Sequence, residues 1–364
     1  MRSALLVIYR VRSDARSIEA RAKTIAVEQS VEMPVEAIDE DTIKSDIVGR
    51  VVDIGDVGNG IFSVRIALAT ETVGCDAGQL INMLFGNTSI HEDVVLQDAE
   101  IPDELAATFG GPRHGIDGLR ERVGVGSRAL TCSALKPQGL SPARLGALAH
   151  RLAQGGIDYI KDDHGLADQS FSPFEARVEA IATALRGLGS HTNYVPSLSG
   201  DLDVMRGQVV YARSAGIDTV MVAPMIMGFS NLNRLVRENS DIAFLAHPAM
   251  AGATRIAPPL LLGKLFRLLG ADAIVYPNHG GRFGYSPGTC RLIAAEALGI
   301  LNGLKPALPV PAGGMTTERV DEMLDFYGAD IMLLIGGALL SAREKLVEET
   351  ADFVNAVKGH RYGR

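Results

Sequence analysis

The segment Gly155-Gly156-Ile157-Asp158-Tyr159-Ile160-Lys161-Asp162-Asp163-His164 joins the end of a helix to a short apolar strand and then to a charged loop. Glycine at such a junction supplies the left-handed conformation that ends a helix. The junction recurs as Ala-Gly-Ile-Asp at 215–218 and as Leu-Gly-Ala-Asp at 269–272. A repeated helix-to-strand junction predicts alternating α and β elements, and therefore an α/β fold with parallel strands.

Short apolar runs alternate with amphipathic stretches through the second part of the chain. A doubly wound open sheet would show the same alternation, so the number of runs, eight, is what favours a closed (β/α)8 TIM barrel. We expect this barrel to be the catalytic domain, residues 116–364. The candidate strands are residues 129–135, 159–161, 194–196, 219–223, 242–246, 273–276, 309–311 and 331–335.

The first part of the chain has a different character. A strand candidate at 5–11 leads into a helix candidate at 15–27, and a pair of strand candidates follows at 47–54 and 61–69. This order predicts a smaller N-terminal α+β domain, residues 1–115. The segment 109–115 is rich in turn-forming residues and marks the expected boundary.

Composition excludes several classes of function. The 364 residues carry a net charge of −8 with no long block of Lys or Arg, which argues against a nucleic-acid partner. The three cysteines are far apart and form no CxxC pair, which suits a reducing compartment. No secretory signal and no run of roughly 20 apolar residues is present. We therefore expect a cytoplasmic protein with no membrane partner.

Polar residues follow the candidate strands at their C-terminal ends, where barrels of this kind place their active sites. Two of the polar residues are lysines, Lys136 and Lys161, which follow or end the first two strands. The others are Asp162, Asp163, His164, Ser197, Ser199, His247, Asn278, His279, Arg282, Gly313, Gly314, Gly336 and Gly337.

Residues 161–164, Lys-Asp-Asp-His, form the charged end of the segment quoted first and have the composition of a metal site. Side chains alternate along a strand, so Lys161 and Asp163 should point the same way, and His164 can join them where the strand ends. Such a group suits Mg²⁺, although a lysine ammonium has no lone pair and becomes a ligand only if CO₂ converts it to a carbamate. The alternative is a charged loop with a Lys–Asp salt bridge. The spacing alone leaves both interpretations open.

Two motifs at residues 136–141 (K-P-Q-G-L-S) and 155–164 (G-G-I-D-Y-I-K-D-D-H) resemble the large chain of RubisCO. That family has K-P-K-x-G-L-S and G-G-x-D-x-x-K-D-D-E at nearly the same separation, and the first motif is one residue shorter here. The resemblance extends over nearly the whole chain. Further matching segments are 86–87, 111–116, 246–247, 311–314 and 335–337.

The resemblance implies a role for each matching residue. Lys161 would be the carbamylated lysine, with Asp163 and His164 completing a Mg²⁺ site, and Lys136 would manage protons during enolisation. His247 matches a catalytic histidine after the fifth barrel strand. Glu28 and Asn87 match residues that complete the active site of the neighbouring subunit, which implies a homodimer. The expected phosphate binders are Gly313, Gly314, Gly336 and Gly337.

Several positions depart from the carboxylating members of the family. His164 stands where they have Glu, Gln138 where they have a second lysine, and Pro248 where they have a phosphate-gripping arginine. Val275 falls where a histidine is expected, and Arg282 where the mobile loop has a lysine. These departures argue against CO₂ fixation. The chain is similar to RubisCO-like proteins, within the subgroup that includes the methylthioribulose-phosphate isomerases of methionine salvage.

The resemblance implies Mg²⁺-dependent proton transfer beside the ketone of a small phosphorylated sugar, with 5-methylthioribulose 1-phosphate as the substrate. Lys136 would be the base and Arg282 would contact the substrate, since a guanidinium grips phosphate or carboxylate in two places. A rival activity is decarboxylation of a 3-oxo sugar-acid phosphate of the 3-oxo-isoapionate 4-phosphate type. A third possibility, from a different class, is a catalytically inactive binding module.

Each assignment also has a purely structural alternative. Lys136 could bridge a carboxylate in the barrel mouth, and His247 could be a satisfied residue of the wall. His279 could face solvent in its glycine-rich loop. The paired glycines at 313–314 and 336–337 could serve only to turn the chain.

Overall fold

The computed structural model describes residues 4–189, 191–301 and 303–362. The chain folds into two compact units. The smaller comprises Met1–Gly110 with Met250–Leu261, and the larger comprises Gly111–Ala249 with Leu262–Arg364. The division differs from the expected domains, 1–115 and 116–364, by a few residues at the boundary and by one segment. Met250–Leu261, expected in the barrel domain, belongs to the smaller unit.

The smaller unit is built on an antiparallel sheet in the order β2-β3-β1-β4. Side chains of β1 and β3 alternate between buried and less buried positions, as expected for strands with one face on a core. The strands are β1 Ala4–Arg12, β2 Arg50–Gly58, β3 Ile61–Ala69 and β4 Val94–Glu100. The helices are α1 Ile18–Glu28, α2 Asp41–Asp46, α3 Ala77–Phe85 and α4 Asp103–Phe109, with 3₁₀ turns at Val35–Ala37, Thr70–Thr72, Asn87–Ile90 and Ala251–Ala253.

The segment Met250–Leu261 belongs to the smaller unit because it extends the edge of the sheet. The N–H of Leu96 in β4 donates to the carbonyl of Arg255 at 2.9 Å, and the N–H of Ala257 donates to the carbonyl of Leu96 at 2.8 Å. This pairing joins residues more than 150 positions apart, which no local sequence pattern indicates.

In the part of the chain that the structure describes, the larger unit contains eight parallel strands in two hydrogen-bonded groups, β12-β5-β6-β7 and β11-β10-β9-β8. Backbone hydrogen bonds of Met221 with Pro196 and Leu198 join β7 to β8, and β11 lies against β12. The strands are β5 Leu130–Leu135, β6 Tyr159–Asp162, β7 Asn193–Val195, β8 Thr219–Val222, β9 Ala243–Ala246, β10 Ala273–Pro277, β11 Leu308–Ala312 and β12 Met332–Leu334.

One apolar core takes side chains from all eight strands, so the sheet closes on itself. The predicted (β/α)8 barrel is confirmed. Contributors from successive strands are Cys132, Tyr159, Val195, Met221, Leu245, Val275, Val310 and Met332.

The outer helices follow the strands as predicted. The first long one, α6, starts with Pro142 after Ser141, a favourable first position for proline, and buries Leu145, Ala149 and Leu152 along one face. The helices of this unit are α5 Gly115–Arg122, α6 Pro142–Gln154, α7 Phe174–Arg186, α8 Leu202–Ser214, α9 Pro224–Met227, α10 Phe229–Glu238, α11 Phe266–Leu268, α12 Pro287–Leu298, α13 Val320–Tyr327, α14 Gly337–Leu340 and α15 Leu346–Gly359. A π-helical turn covers Pro259–Leu265, and 3₁₀ turns cover Thr317–Arg319 and Arg343–Lys345. Within the described ranges, none of the helices has the length and apolar character needed to span a membrane.

The repeated helix-to-strand junctions tie neighbouring strands together at the N-terminal end of the barrel. Gly156, Gly216 and Gly270 have φ of +79°, +83° and +110°, the left-handed conformation expected there. The aspartate two residues after each glycine is hydrogen-bonded to an adjacent strand. Asp158 accepts from the N–H of Thr131 (2.8 Å), Asp218 from the side-chain amide of Asn193 (2.7 Å), and Asp272 from the N–H of Phe244 (2.9 Å).

Candidate active site

Lys136 and Asp163 meet at the C-terminal ends of β5 and β6. The Lys136 Nζ lies 3.2 Å from Asp163 Oδ1, and each residue directly follows its strand. Lys136 thus bridges a carboxylate in the barrel mouth, which is the structural alternative given for it above. The contact is compatible with either of the interpretations drawn from the sequence.

Asp163 is ionised at neutral pH. Burial alone would raise its pKa, but a hydrogen bond with His164 and the ammonium of Lys136 hold the pKa well below its usual range. The His164 Nδ1 lies 3.4 Å from the same oxygen that contacts Lys136. The carboxylate is thus the anionic centre of the group.

Lys161 lies inside the barrel wall with 3% of its surface exposed. Its Nζ donates to the carbonyl of Asp162 at 2.8 Å. Burial lowers the pKa of Lys161 below its ordinary value, and the nearby Lys136 lowers it further, while Asp163 and Asp162 act in the opposite direction. A larger neutral fraction makes this amine a better nucleophile than an exposed lysine, which is what carbamate formation with CO₂ requires.

Asp162 points away from this group into a fully buried network. Its carboxylate accepts from Arg177 Nε (3.0 Å), the Tyr194 hydroxyl (2.8 Å) and the N–H of Ser197 (3.0 Å). Burial raises the pKa of Asp162, and the Arg177 guanidinium opposes the rise. The network connects β6 to α7 and β7, so it holds the strand end from which Lys161 and Asp163 project. Sequence reasoning missed Arg177, which looks like one more polar residue of an amphipathic helix.

The His247 ring stacks on His164. The ring centroids are 4.4 Å apart and the planes are 7° from parallel. The His247 Nδ1 accepts from the N–H of Ala249 at 3.1 Å, so the proton of the neutral ring is on Nε2. Burial lowers the pKa of His247 to about 2, with help from the Lys161 cation. His247 is therefore a neutral donor beside Asp163, as an active-site electrophile would be.

Arg282, Gly313 and Gly314 form a second group. The N–H of Arg282 donates to the carbonyl of Gly313 at 3.1 Å, and the exposed guanidinium lies 4.9 Å from the Phe283 ring centre. Gly313 and Gly314 have φ of +85° and +106°, which only glycine adopts readily. The hydrogen bonds found in the described ranges do not link this group to Lys136 or His247.

Gly336 and Gly337 follow β12, and Gly337 begins α14. Gly337 and Lys136 line a common cleft of about 730 Å³ on the surface of the larger unit. Its floor is apolar, with Leu140, Leu148 and Leu340, while Arg144, Arg151, Arg343 and Ser341 also line it. Four cationic side chains around one cleft favour an anionic ligand.

His279 does not face solvent, so that alternative is wrong. The residue is 8% exposed and packs on Phe326, with ring centroids 4.6 Å apart. Burial lowers the pKa of His279, and in the described part of the chain its Nε2 has no hydrogen-bond partner. The adjacent Asn278 is fixed by the Tyr327 hydroxyl, which donates to its Oδ1 at 2.7 Å.

In the smaller unit, Glu28 and Asn87 lie together. The Asn87 side-chain amide donates to Glu28 Oε1 at 3.0 Å and to Glu32 Oε1 at 2.8 Å. Glu32 was not singled out from the sequence. The three side chains form an acidic group at the surface of this unit.

The donors around Asp163 fit a divalent cation only if Lys161 takes part. No group of three or more His, Cys, Asp or Glu side chains arranged to hold a metal occurs in residues 4–189, 191–301 and 303–362. Asp163 and His164 supply two donors, and a carbamate on Lys161 would supply the third. The buried, less basic amine of Lys161 makes that conversion chemically reasonable.

Residues 115–292 match the catalytic domain of the ribulose bisphosphate carboxylase large chain. The chain is 58% identical to a 5-methylthioribulose-1-phosphate isomerase of Rhodospirillum rubrum, over 99% of this chain and 97% of the relative. It is 34% identical to a 2,3-diketo-5-methylthiopentyl-1-phosphate enolase of Geobacillus kaustophilus, over 76% and 70%.

Solved structures agree with the sequence matches. The crystal structure of a Rubisco-like protein from Rhodopseudomonas palustris aligns with a TM-score of 0.92 at 50% identity. The alignment covers 99% of this chain and 100% of that chain.

Proposed function

Because the chain belongs to the RubisCO large-chain family, in its RubisCO-like branch, we propose that it isomerises 5-methylthioribulose 1-phosphate by enolisation beside the ketone. The observation that carries the proposal is the contact of Lys136 Nζ with Asp163 Oδ1 at 3.2 Å, beside the buried amine of Lys161. Lys136 as the base, Asp163 as an anionic ligand and Lys161 as the carbamate precursor would act together at the ends of the adjacent strands β5 and β6. The 58% identity to a named isomerase supports this reaction over others of the branch.

Lys161, Asp163 and His164 would hold the divalent cation, for which we propose Mg²⁺. In carbamate formation the lone pair of neutral Lys161 forms an N–C bond to CO₂. One C–O π pair moves onto oxygen, and a proton leaves the nitrogen to solvent, which leaves an anion. When bound, the cation supplies a Lewis acid that polarises the substrate carbonyl.

Lys136 is the proposed base. In its neutral amine form it accepts the proton from the carbon beside the ketone. The C–H electron pair forms a carbon–carbon double bond, and the π pair of the carbonyl moves onto its oxygen. The neutral His247 donates a hydrogen bond from Nε2 to the oxygen that gains negative charge, because its low pKa keeps the ring from taking up a second proton. Return of the proton to the former carbonyl carbon, with transfer of the hydroxyl proton of the neighbouring carbon to the former carbonyl oxygen, makes the neighbouring carbon the new ketone. The product is an isomeric ketose with no net change in composition.

The phosphate is proposed to bind at the glycine pairs. Gly337, which directly follows Gly336, lines a cleft with four cationic side chains, where the backbone N–H groups of the pair would meet the phosphate. Gly313 and Gly314 offer the same at the end of β11, next to Arg282. The charged group of Glu28 and Asn87 is proposed to complete the active site of a second copy in a homodimer.

The rival decarboxylase reaction needs the same base, cation and phosphate site, and no contact described above favours it. One assay separates the possibilities. The protein is incubated in D₂O with CO₂, Mg²⁺ and either 5-methylthioribulose 1-phosphate or a 3-oxo sugar-acid phosphate. Deuterium incorporation with an isomeric product supports the proposal. Release of CO₂ from the second substrate with no exchange into the first contradicts it, and inertness toward both favours the binding module.

A further inference from the structure

We propose that Arg319 is a positioning residue for the proposed reaction: it fixes the loop that carries Arg282, and through that loop it sets the affinity for the phosphorylated substrate. The loop, residues 278–284, follows β10. The inference rests on the proposed function, because it concerns how Arg282 is presented to the substrate. Arg319 acts through Arg282 and not on the reacting atoms.

The guanidinium of Arg319 joins the loop to the start of α13. Its Nη1 and Nη2 both donate to the carbonyl of His279, each at 3.3 Å. Its Nε and Nη2 donate to the two carboxylate oxygens of Glu322, each at 2.9 Å. The carboxylate fixes the plane of the guanidinium, so its other edge is aimed at the loop carbonyl before any substrate binds. Hydrogen bonds from a charged donor are stronger than those between neutral groups.

Side chains of α13 hold the first two residues of the loop as well. The Tyr327 hydroxyl donates to Asn278 Oδ1 at 2.7 Å, and the His279 ring packs on Phe326 with ring centroids 4.6 Å apart. Asn278 and His279 are both buried. The loop therefore starts from a fixed base, to which Arg319 adds a charged contact.

The later part of the loop lies directly against the turn that follows β11. The N–H of Arg282 donates to the carbonyl of Gly313 at 3.1 Å. A Cβ atom at Gly281 would collide with the same carbonyl oxygen, and one at Gly314 would lie 3.0 Å from the Gly281 Cα. Backbones this close leave little room for a sideways shift. The loop thus has one well-defined position while its start is held, and the exposed side chain of Arg282 extends from it.

A fixed loop lowers the entropic cost of binding. An arginine on a mobile loop that grips a phosphate must lose the freedom of the loop as well as its own rotamer freedom. With Arg319 in place, only the side-chain freedom of Arg282 is lost. We therefore expect Arg319 to affect KM and to leave the chemical step, carried by Lys136, unchanged.

The test compares Arg319→Met, which removes every donor, with Arg319→Lys, which keeps the charge but lacks the fork that bonds a carboxylate and a carbonyl together. KM for 5-methylthioribulose 1-phosphate should rise about five- to tenfold in Arg319→Met and less in Arg319→Lys, with kcat within about twofold of the wild type. In the ligand-free protein, Arg319→Met should also speed hydrogen exchange in peptides that cover residues 280–284.

Arg206→Met is the matched control. Arg206 also pairs with a carboxylate three residues away on a barrel helix, at 2.8 Å from Asp203, but it does not contact the loop. Its replacement should change neither KM nor the exchange of residues 280–284. Circular dichroism checks that the variants fold, and Arg319→Lys carries the test if Arg319→Met does not.

A double-variant cycle separates positioning from a general loss of stability. In the Arg282→Ala background, Arg319→Met should raise KM by less than about twofold, because the residue through which it acts is gone. Multiplication of the two single effects overturns the inference, and so does a fall in kcat at unchanged KM.

The inference and the proposed function can fail separately. Wild-type turnover with an unchanged KM in Arg319→Met overturns the inference and leaves the proposed function standing. Absence of wild-type turnover defeats the proposed function, and hydrogen exchange then decides the role of Arg319 in the loop. Faster exchange of residues 280–284 in Arg319→Met supports that role, and unchanged exchange overturns it.

Discussion

Lys136 and Asp163 are 27 residues apart in the chain, yet the ammonium of one lies 3.2 Å from the carboxylate of the other. Both residues directly follow adjacent parallel strands, β5 and β6. The carboxylate holds the lysine at the C-terminal end of the barrel strands, where we propose that it acts as the base.

Replacing Lys136 by Arg should abolish proton abstraction, because a guanidinium keeps the positive charge beside Asp163 but does not give up its proton. The expected loss in kcat is about 10²- to 10⁴-fold. It is measured as the rate of deuterium incorporation from D₂O. Lys136→Gln, which also removes the charge, serves as the comparison. Near-normal exchange in Lys136→Arg would show that another residue is the base.

The buried pair of Asp162 and Arg177 should be essential for stability. Asp162→Asn leaves the Arg177 guanidinium buried without its anion, and we expect a loss of about 3–5 kcal/mol in the free energy of unfolding. Chemical denaturation measures it. The double variant Asp162→Asn/Arg177→Met should recover part of the loss in stability, because it also removes the buried guanidinium that Asp162→Asn leaves without an anion. A double variant that is less stable by the full sum of the two single changes would contradict this account.

The protein should lose stability as pH falls below about 6.5, the ordinary pKa of histidine. Burial holds the pKa of His247 in the folded protein at about 2. Between pH 2 and pH 6.5, His247 therefore binds a proton in the unfolded chain and does not bind one in the folded chain. The contribution of His247 to the free energy of unfolding is fully present above the unfolded pKa. It declines as the pH falls toward the folded pKa, by at most about 1.4 kcal/mol per pH unit. Unfolding titrations at pH 8 and pH 5 should show a smaller pH effect in His247→Asn than in the wild type.

Replacing Arg282 by Ala should weaken substrate binding and leave the fold intact. The backbone N–H of Arg282, which contacts Gly313, is retained, and the side chain is exposed. We expect KM for the phosphorylated substrate to rise about tenfold, the value of a lost charge-assisted contact. Steady-state kinetics measure it. A fall in kcat at unchanged KM would instead assign Arg282 to the chemical step.

Asn87 and Lys136 should complement each other across subunits. Asn87→Ala and Lys136→Arg are each expected to be nearly inactive as homodimers. Mixing and reassembling the two variants places one intact pair in each heterodimer, so activity should return to about a quarter of the wild-type value if subunits exchange at random. Gel filtration checks that dimers form. No recovery from fully mixed dimers would mean that each chain supplies its own Asn87.

The barrel and the main contacts of its mouth could be predicted because both depend on local patterns. Eight apolar runs marked the strands, and residues that directly follow parallel strands, such as Lys136 and His247, meet at one edge by geometry alone. Strand β4 escaped prediction because Gln97 and Asp98 interrupt its apolar pattern and its partners are distant in the chain. Arg177 escaped because the sequence of an amphipathic helix does not reveal that one arginine turns inward to a buried carboxylate.

The aspartates of the three helix-to-strand junctions have a consequence for how such a protein can diverge. Asp158, Asp218 and Asp272 bind neighbouring strands at the end of the barrel opposite Lys136, Asp163 and His247. Strand alignment is therefore secured by residues remote from the proposed active site. A change of one residue at the C-terminal ends of the strands, such as His164 in place of the family's Glu, alters the side chains of the proposed site and leaves the strand alignment intact. Proteins with this barrel can therefore acquire a new reaction through single substitutions while every intermediate sequence still folds.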